Sequence, residues 1–409
     1  MDVSRRSILA MAAAAPLVSG AADDEAYWAG IAAHYDVTRE VLQFEHGNWG
    51  MMARPVLAAY QEQVARVNRD TSFYARRAMI GDLAKVRETL AAAMGVTVDE
   101  VVLTRNASEA LIAAITGYNK LQQGHGVLVA DLDYDSMILA CESLARTRRA
   151  RIVRVPLPEP ASQQGLIDAY AQAFDANPHL RLVLLTHVSH RTGLALPVRE
   201  IAAQARMRGL DVIVDAAHSF GQLDFRVPDL GADFVGINLH KWIGNPLGVG
   251  ALYVRRSRVG DLDPHPGELD RPNDITSRVH TGTPDYAAQL TLPTALDFQA
   301  GIGAARRAAR LCALSNRWTR RLRGLEGLQI LTPDDDRLHG AITSFRLVGR
   351  TSVDDNRAVV ARLLDEHRVF TVHRAGPVRG ACVRVTPALA TTMTDIDRFA
   401  AALQAVVTS

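Results

Sequence analysis

Lysine is almost absent from this sequence: lysine and arginine together number 46, and only three of these residues are lysines. Lys85 and Lys120 stand on a helical face and near a helix end, where arginine would serve equally well. Lys241 stands in LHKWIGNPLGVGALYV, between a segment typical of a buried strand and a glycine-rich turn. A charge at such a place is costly unless it is paired, so Lys241 calls for chemistry that arginine cannot perform.

The sequence also lacks an excess of charge of either sign. The formal net charge is +2, which provides no field to attract nucleic acid or a membrane surface. The basic stretch RTRRARIVR at 146–154 is therefore interpreted as a solvated helix edge, and we expect no nucleic-acid partner. With 48% apolar and 22% charged residues, a chain of 409 residues is predicted to be globular, with two domains.

Cysteine is scarce as well. Cys141, Cys312 and Cys382 are too few and too scattered for a disulfide framework or a metal knuckle. All three lie in apolar helical or strand contexts. We interpret them as small core residues, and we predict no metal site.

The apolar run at the start of the chain, Ile8 to Val18, is too short to span a bilayer. Arg5 and Arg6 precede it, and the small residues 19–22 follow it. This pattern predicts a signal peptide over residues 1–22, with a frayed N-terminal helix as the alternative. The arginine pair favours twin-arginine export of a folded protein, hence a periplasmic location and no membrane contact in the mature form.

The rest of the chain alternates helical patterns with short apolar runs: GVLVADLDY, ARIVRVPL, LRLVLLTHVS, DVIVDAAH, ADFVGINLH and VGALYV. Such runs indicate a parallel sheet covered by helices on both faces, hence an α/β fold. From about residue 300 the pattern changes to an arginine-rich helix, short strands and a closing helix. We predict an N-terminal segment at 23–50, a large domain at 51–295 and a smaller C-terminal domain at 296–409.

Ligands bind parallel sheets at the carboxyl ends of the strands, and two charged residues are predicted to lie there. Asp215 ends the run DVIVD, and Lys241 follows the next run, 26 residues later. Both side chains are expected to reach one crevice. These two residues alone leave a simple buried ion pair open as an interpretation.

A third element favours a cofactor. Asn106 and Glu109 form a capping-box pattern at the start of an apolar helix, whose free N–H groups and dipole favour a phosphate. A phosphate cradle, an acid able to pair with a ring nitrogen and a lone lysine together indicate pyridoxal phosphate. Lysine is required because it forms an imine with the aldehyde, whereas a guanidinium cannot be deprotonated.

The sequence resembles the class V aminotransferase-fold enzymes, and its nearest branch is the isopenicillin N epimerase-like one. The resemblance covers nearly all of the predicted mature chain. It rests on TRNASEAL, LDYDS, THVSHRTGLALPVREI, VDAAHSFGQ, INLHKWIGNPLGVGALYVRR, HTGTPDYAA and CVRVTPALATTMTDIDRF. It implies a pyridoxal-phosphate-dependent transferase of fold type I, with a large, mostly parallel-sheet domain and a small α+β domain.

The resemblance also implies roles for individual residues. Lys241 would hold the cofactor and move the proton at the substrate α-carbon. Asp215 would pair with the ring nitrogen. Tyr134 would stack on the ring, with His218, and His190 as a further candidate, near its phenolic edge. The alternatives are a simple strand-end aromatic for Tyr134 and a solvated loop residue for His190.

Further residues are implied for the phosphate and the substrate. Arg384 would grip the substrate carboxylate. The resemblance implies a homodimer with shared sites, in which Thr283 comes from the neighbouring subunit. The remaining residues implied to bind the phosphate are Ala107, Ser108, Asn238 and His240. Asn106, the cap of the same helix, is implied to bind the cofactor.

The sequence departs from the family pattern at two places. FEHGNWG, residues 44–50, resembles the family's N-terminal substrate loop, but Glu45 stands where asparagine is common, and Asn238 stands where a hydroxyl residue is usual. A desulfurase is disfavoured, because Cys382 is two residues from Arg384 and not in an earlier mobile loop.

The first functional hypothesis is transamination or epimerisation at the α-carbon of an amino acid or a peptide-borne amino group. A lyase, or an enzyme that tailors siderophores or other peptides, is the alternative. A non-catalytic exported ligand-binding protein that uses the same crevice is the alternative from another class.

Overall fold

The computed structural model describes residues 24–280 and 282–409, so the predicted signal peptide lies outside the described residues. The helices are α1 (Glu25–Ala32), α2 (Arg54–Arg77), α3 (Met79–Met94), α4 (Ala107–Gly117), α5 (Asp135–Thr147), α6 (Gln163–Ala176), α7 (Val198–Met207), α8 (Tyr286–Ile302), α9 (Ala304–Leu322), α10 (Val353–His367) and α11 (Met393–Thr408). The strands are β1 (Leu42–Gln43), β2 (Val101–Thr104), β3 (Gly126–Ala130), β4 (Arg151–Val155), β5 (Leu180–Thr186), β6 (Asp211–Asp215), β7 (Phe234–Asn238), β8 (Gly250–Val254), β9 (Leu328–Ile330), β10 (Thr343–Leu347), β11 (Val369–Phe370), β12 (Val372–Arg374) and β13 (Cys382–Val385).

The large sheet has seven strands in the order β2-β8-β7-β6-β5-β3-β4. Strands β3 to β7 pair in parallel, whereas β8 is antiparallel to both of its neighbours. The predicted mostly parallel α/β fold is confirmed. Strand β8 reverses because the turn after β7 contains no helix to carry the chain back across the sheet. The edge strand β2 was not predicted, since its four residues VVLT merge into the cap of the next helix.

Both faces of the sheet are buried, as the continuous apolar runs predicted. In β5, Leu182 and Leu184 face one hydrophobic core while Val183 and Leu185 face the other, and each is at most 1% exposed. Full burial of such a side chain contributes about 1.5–3 kcal/mol. A strand stabilised from both sides holds its carboxyl end in a fixed place, which is where the site residues follow.

Two glycines bring helix α4 close to the sheet. A Cβ at Gly236 would lie 2.5 Å from Leu111 Cγ, and a Cβ at Gly250 would lie 2.6 Å from the Asn106 carbonyl carbon. Both distances are shorter than any ordinary contact. Because Gly236 on β7 and Gly250 on β8 have no side chain, the first turn of α4 packs directly against the ends of these strands.

The C-terminal part of the chain forms a four-stranded antiparallel sheet in the order β12-β13-β10-β9. Helix α9 places Trp318 against Phe345 and Phe399, and all three rings are fully buried. The N-terminal segment joins this part, because β1 pairs in parallel with β11 and Glu45 forms a bridge with Thr386. The predicted domain limits stay predictions; helix α8 spans the one at 295–296.

Across the described ranges, none of the helices has the length and apolar character needed to cross a membrane.

Candidate active site

One cavity of about 500 Å³ opens at the carboxyl ends of β5, β6 and β7, facing β12 and β13. All of the predicted site residues except Thr283 line it. These are Asn106, Ala107, Ser108, Tyr134, His190, Asp215, His218, Asn238, His240, Lys241 and Arg384. Thr283 is exposed and lies beside another surface pocket, with Arg105 and Glu109.

Lys241 lies in the turn after β7, with its amine inside the cavity. The Nζ atom donates to the Gly47 carbonyl at 3.1 Å and lies 3.0 Å from His218 Nε2. Burial, assisted by the nearby Arg384 charge, lowers the pKa of Lys241 from 10.5 to about 8. Although Lys241 and Asp215 both belong to the described ranges, no ion pair joins them. The interpretation of Asp215 and Lys241 as a simple buried ion pair is therefore wrong.

The lowered pKa predicts the pH at which Lys241 reacts. Only the neutral amine attacks an aldehyde, and a pKa of about 8 makes half of the amine neutral near that pH. We expect the rate at which cofactor-free protein combines with pyridoxal phosphate to rise with pH and to level off above a midpoint near 8. Absorbance traces between about pH 6 and about pH 10 measure this rate. A midpoint close to that of an ordinary lysine would contradict the buried environment of the amine.

Asp215 ends β6 and is 5% exposed. Its Oδ1 atom accepts from the Ala217 N–H at 2.9 Å, and burial raises its pKa from 3.8 to about 6. Among the described residues, none donates a hydrogen bond to its Oδ2 atom. A buried carboxylate that lacks a cation is costly, so Asp215 is suited to a cationic group that enters the cavity.

The aromatic side of the cavity consists of Tyr134 and two histidines. Tyr134 precedes α5, and its ring meets the His190 ring edge to face at 5.0 Å between centroids. The Nδ1 atoms of His190 and His218 are buried without a hydrogen-bond partner. Burial first, and then neighbouring cations, holds the pKa of both histidines well below the usual 6.5. Both rings are therefore neutral near pH 7.

The start of α4 forms another wall of the cavity. Asn106 caps the helix, since its Oδ1 atom accepts from the Glu109 N–H at 2.8 Å. The predicted capping box is wrong in its second half: Glu109 accepts from the Arg105 N–H at 2.6 Å, and the Arg105 guanidinium holds it there. The ion pair between Arg105 and Glu109, four residues apart, is favoured over a hydrogen bond from the Asn106 N–H to the Glu109 carboxylate.

Two residues from the end of β7 complete this wall. Asn238 Oδ1 accepts from the Ala107 N–H at 2.8 Å. The asparagine that replaces the usual hydroxyl residue therefore binds the N-terminus of α4. His240 Nδ1 donates to the Val249 carbonyl at 3.0 Å, which leaves Nε2 as the free ring nitrogen. Of the first four N–H groups of α4, that of Ser108 has no acceptor among the described residues, and Ser108 lines the cavity.

These features fit pyridoxal phosphate in three respects. The cavity has an amine with a lowered pKa and a buried carboxyl group without a cation. It also has the N-terminus of α4, which Gly236 and Gly250 allow to pack directly against the strand ends.

Several residues that line the cavity were not predicted from the sequence, among them Gly47, Asn48, His373 and Arg374. The resemblance of FEHGNWG to a substrate loop was the one available signal for Gly47 and Asn48. Arg374 had no signal, because it is one of many arginines and lies on a short edge strand.

Gly50 fixes the N-terminal segment against the lysine turn. Its N–H donates to the His240 carbonyl at 2.8 Å, and a Cβ on it would lie 1.8 Å from the Lys241 carbonyl oxygen. Gly50→Ala is expected to lower the free energy of unfolding by about 1–3 kcal/mol, because the two backbones must move apart. Urea unfolding measures the change.

Gly81→Ala is the matched control, because a Cβ on this glycine of α3 meets nothing within 4 Å. We expect this variant to be more stable by about 0.5–1 kcal/mol, as is usual for a helix interior. Equal unfolding midpoints for the two variants would contradict the close contact at Gly50.

The parallel sheet, the lysine turn after β7 and the carboxylate at the end of β6 define a pyridoxal-phosphate-dependent enzyme of fold type I, and pyridoxal 5′-phosphate is its cofactor. The sequence profile described as Aminotransferase class-V matches residues 51–399. The chain belongs to this family.

The chain is 29% identical over 396 residues to an isopenicillin N epimerase of Amycolatopsis lactamdurans, covering 92% of this chain and 98% of that one. A solved cysteine desulfurase from Thermococcus onnurineus NA1, in its apo form, is similar with a TM-score of 0.81, at 22% identity over 93% of this chain and 98% of that chain. A mutant of C-DES with glycine covalently linked to its PLP cofactor has a TM-score of 0.76, at 23% identity over 89% and 96% of the two chains.

All three cysteines of the sequence lie in the described ranges, and none lines the cavity. Cys382 is fully buried in β13, where its thiol lies 3.7 Å from the Arg191 carbonyl. Burial raises the pKa of this thiol to about 12. Cys382 is therefore an inert core residue and not a sulfur acceptor.

Proposed function

We propose that this protein moves a proton at the α-carbon of an amino acid or a peptide-borne amino group, as an epimerase or a transaminase. The observation that carries the proposal is the position of the Lys241 amine, buried in the cavity beside His218 with a pKa lowered to about 8. A base whose pKa is close to the working pH is effective at proton transfer. The resemblance to isopenicillin N epimerase over nearly the whole chain supports the same reaction class.

When bound, pyridoxal phosphate accepts electron density from the α-carbon of an attached amino compound and makes the α-proton acidic. Lys241 supplies the amine that takes and returns this proton. Asp215 would supply a carboxylate to pair with the ring nitrogen, and Tyr134 would supply an aromatic face for the ring. Neutral His218 accepts a hydrogen bond from the protonated lysine and so stabilises the proton-carrying state.

Incubation of the loaded protein with a panel of amino acids in heavy water tests the proposal. Exchange of the α-proton together with a new keto acid indicates transamination, and exchange with inversion of configuration alone indicates epimerisation. Release of sulfide from cysteine would indicate a lyase instead. A loaded protein that exchanges no α-proton in any substrate contradicts the proposal for that panel.

We also propose that the protein is a homodimer in which Thr283 of a second copy contacts the cofactor phosphate. Support comes from its exposed position outside the cavity of its own chain. Sedimentation combined with activity measurement tests this, because a fully active monomer would exclude a shared site. Residues 1–22 support export to the periplasm, which fractionation of cells producing the full chain would check.

A further inference from the structure

Two arginines face the cavity from the small antiparallel sheet. Strand β12 pairs with β13 so that Val372 lies opposite Arg384 and Arg374 lies opposite Cys382. Residues directly opposite, and residues two positions along, share one face of a sheet. Arg374 and Arg384 therefore project from the same face as diagonal neighbours, and both line the cavity.

One buried carboxylate joins the two guanidinium groups. Glu45 Oε1 accepts from Arg374 Nη2 at 3.2 Å and also from Arg384 Nη2. The Glu45 side chain is 8% exposed and does not line the cavity.

The arginines keep free donors in this arrangement. Arg384 Nη1 donates to the His190 carbonyl at 2.6 Å, which fixes the plane of its guanidinium. The Nε atoms of both arginines are buried and have no hydrogen-bond partner. Arg384 is 1% exposed, so its unused donors have little access to water. A buried unpaired N–H is costly and is relieved by an acceptor that enters the cavity.

The charges of this group do not cancel. Two guanidinium groups and one carboxylate leave one positive charge at this end of the cavity, which matches a single carboxylate. Without Glu45, two cations of the same sign would have to lie side by side in a buried place. The shared acceptor therefore allows both arginines to face the cavity together.

We propose that Arg374 is a second substrate-binding residue, which holds the substrate carboxylate together with Arg384, and that Glu45 is the positioning residue that keeps the two arginines side by side. The inference rests on the proposed function and narrows its substrate class. The site takes amino compounds with a free carboxylate next to the reacting amine, in preference to amines, amides and esters.

Two small probes test this without any proton transfer at carbon. Aminooxyacetate and O-methylhydroxylamine both combine with bound pyridoxal phosphate through an aminooxy group, and only the first carries a carboxylate. Dissociation constants of both probes are measured from the absorbance change of the loaded protein. The ratio of the two constants reports recognition of the carboxylate alone.

In the wild type, aminooxyacetate is expected to bind at least about 100-fold more tightly, since two charge-assisted contacts are made. Arg374→Gln is expected to reduce this ratio by about 10- to 100-fold while leaving O-methylhydroxylamine unchanged. Arg357→Gln is the matched control. Arg357 lies on α10 in an exposed ion pair with Asp354, and this substitution removes the same charge from outside the cavity. Its ratio should equal that of the wild type.

Glu45 is tested by two variants. Glu45→Ala removes the shared acceptor and is expected to reduce the ratio by about tenfold, whereas Glu45→Gln keeps an acceptor oxygen and should recover part of it. An Ala variant with the wild-type ratio, or a Gln variant no better than the Ala variant, would overturn the positioning role.

The outcomes separate this inference from the proposed function. A loaded wild type that binds both probes equally, or an Arg374→Gln variant that keeps the wild-type ratio, overturns the inference. A loaded protein that discriminates between the probes but exchanges no α-proton contradicts the proposed function and leaves the carboxylate site standing.

Discussion

Replacing Lys241 with alanine is expected to abolish the borohydride-reducible linkage to the cofactor and to slow α-proton exchange by at least about 10²–10⁴-fold. All three lysines lie in the described ranges, and Lys241 is the one that lines the cavity, so no second amine replaces it. The neighbouring arginines cannot substitute, because a guanidinium stays protonated. Absorbance before and after borohydride measures the linkage, and exchange in heavy water measures the proton transfer.

Lys85→Ala is the matched control. Lys85 is 77% exposed on α3, and its nearest carboxylate, Asp82, lies 3.8 Å away. We expect this variant to keep the colour, the reducible linkage and the exchange rate of the wild type. A Lys241→Ala protein that still becomes colourless and covalently labelled on reduction would show that the cofactor attaches elsewhere.

Periodicity was sufficient to predict the large sheet but not the direction of every strand. Runs such as LRLVLLT in β5 are apolar at every position, which indicates a strand buried on both faces. Strand β8 has the same composition and is antiparallel, because direction depends on the connection and not on the strand. The sequence between β7 and β8 holds no helical pattern, and this was the signal for the reversal.

The large-domain residues of the site could be predicted because they follow strand ends. Asp215 is the last residue of β6 and Lys241 lies in the turn after β7, and parallel neighbouring strands end at one edge. The resemblance to class V enzymes placed Arg384 in the cavity although it lies on β13 in the other sheet. Residue chemistry and sheet topology together were therefore enough to predict the cavity residues from the large sheet. Predicting Arg384, from the small sheet, required the family pattern.

The contacts of the second wall could not be predicted. Glu45 and Arg384 are 339 residues apart in the sequence, and their contact depends on how the N-terminal segment crosses the small sheet. The sequence marked Glu45 as a departure from the family without showing its partner. Arg374 needs the register of β12 against β13, and a two-residue shift in that register would place it elsewhere.

Asp215→Asn is expected to have opposite effects on stability and on activity. In the cofactor-free protein, burial raises the pKa of Asp215 from 3.8 to about 6, so the ionised carboxylate is disfavoured in the folded state. The resulting destabilisation is absent below the unfolded pKa, grows as the pH rises between the two values and is complete above the folded one. The asparagine variant should therefore unfold with a free energy about 2–3 kcal/mol larger at pH 7, and this gain should vanish near pH 4.

In the protein loaded with pyridoxal phosphate, Asp215→Asn should lower the rate of α-proton exchange. Asparagine still accepts a hydrogen bond from the Ala217 N–H, so the local backbone is retained, but it carries no charge to hold a proton on the ring nitrogen. Losing one partner of a buried ion pair costs about 3–5 kcal/mol, which corresponds to a loss in α-proton exchange of about 10²–10⁴-fold. Asp354→Asn, at a carboxylate 89% exposed, should change neither quantity. Activity close to the wild type would show that the Asp215 carboxylate does not face a cation in the working site. A stability gain that is the same at pH 4 and pH 7 would show that burial does not raise the pKa of Asp215.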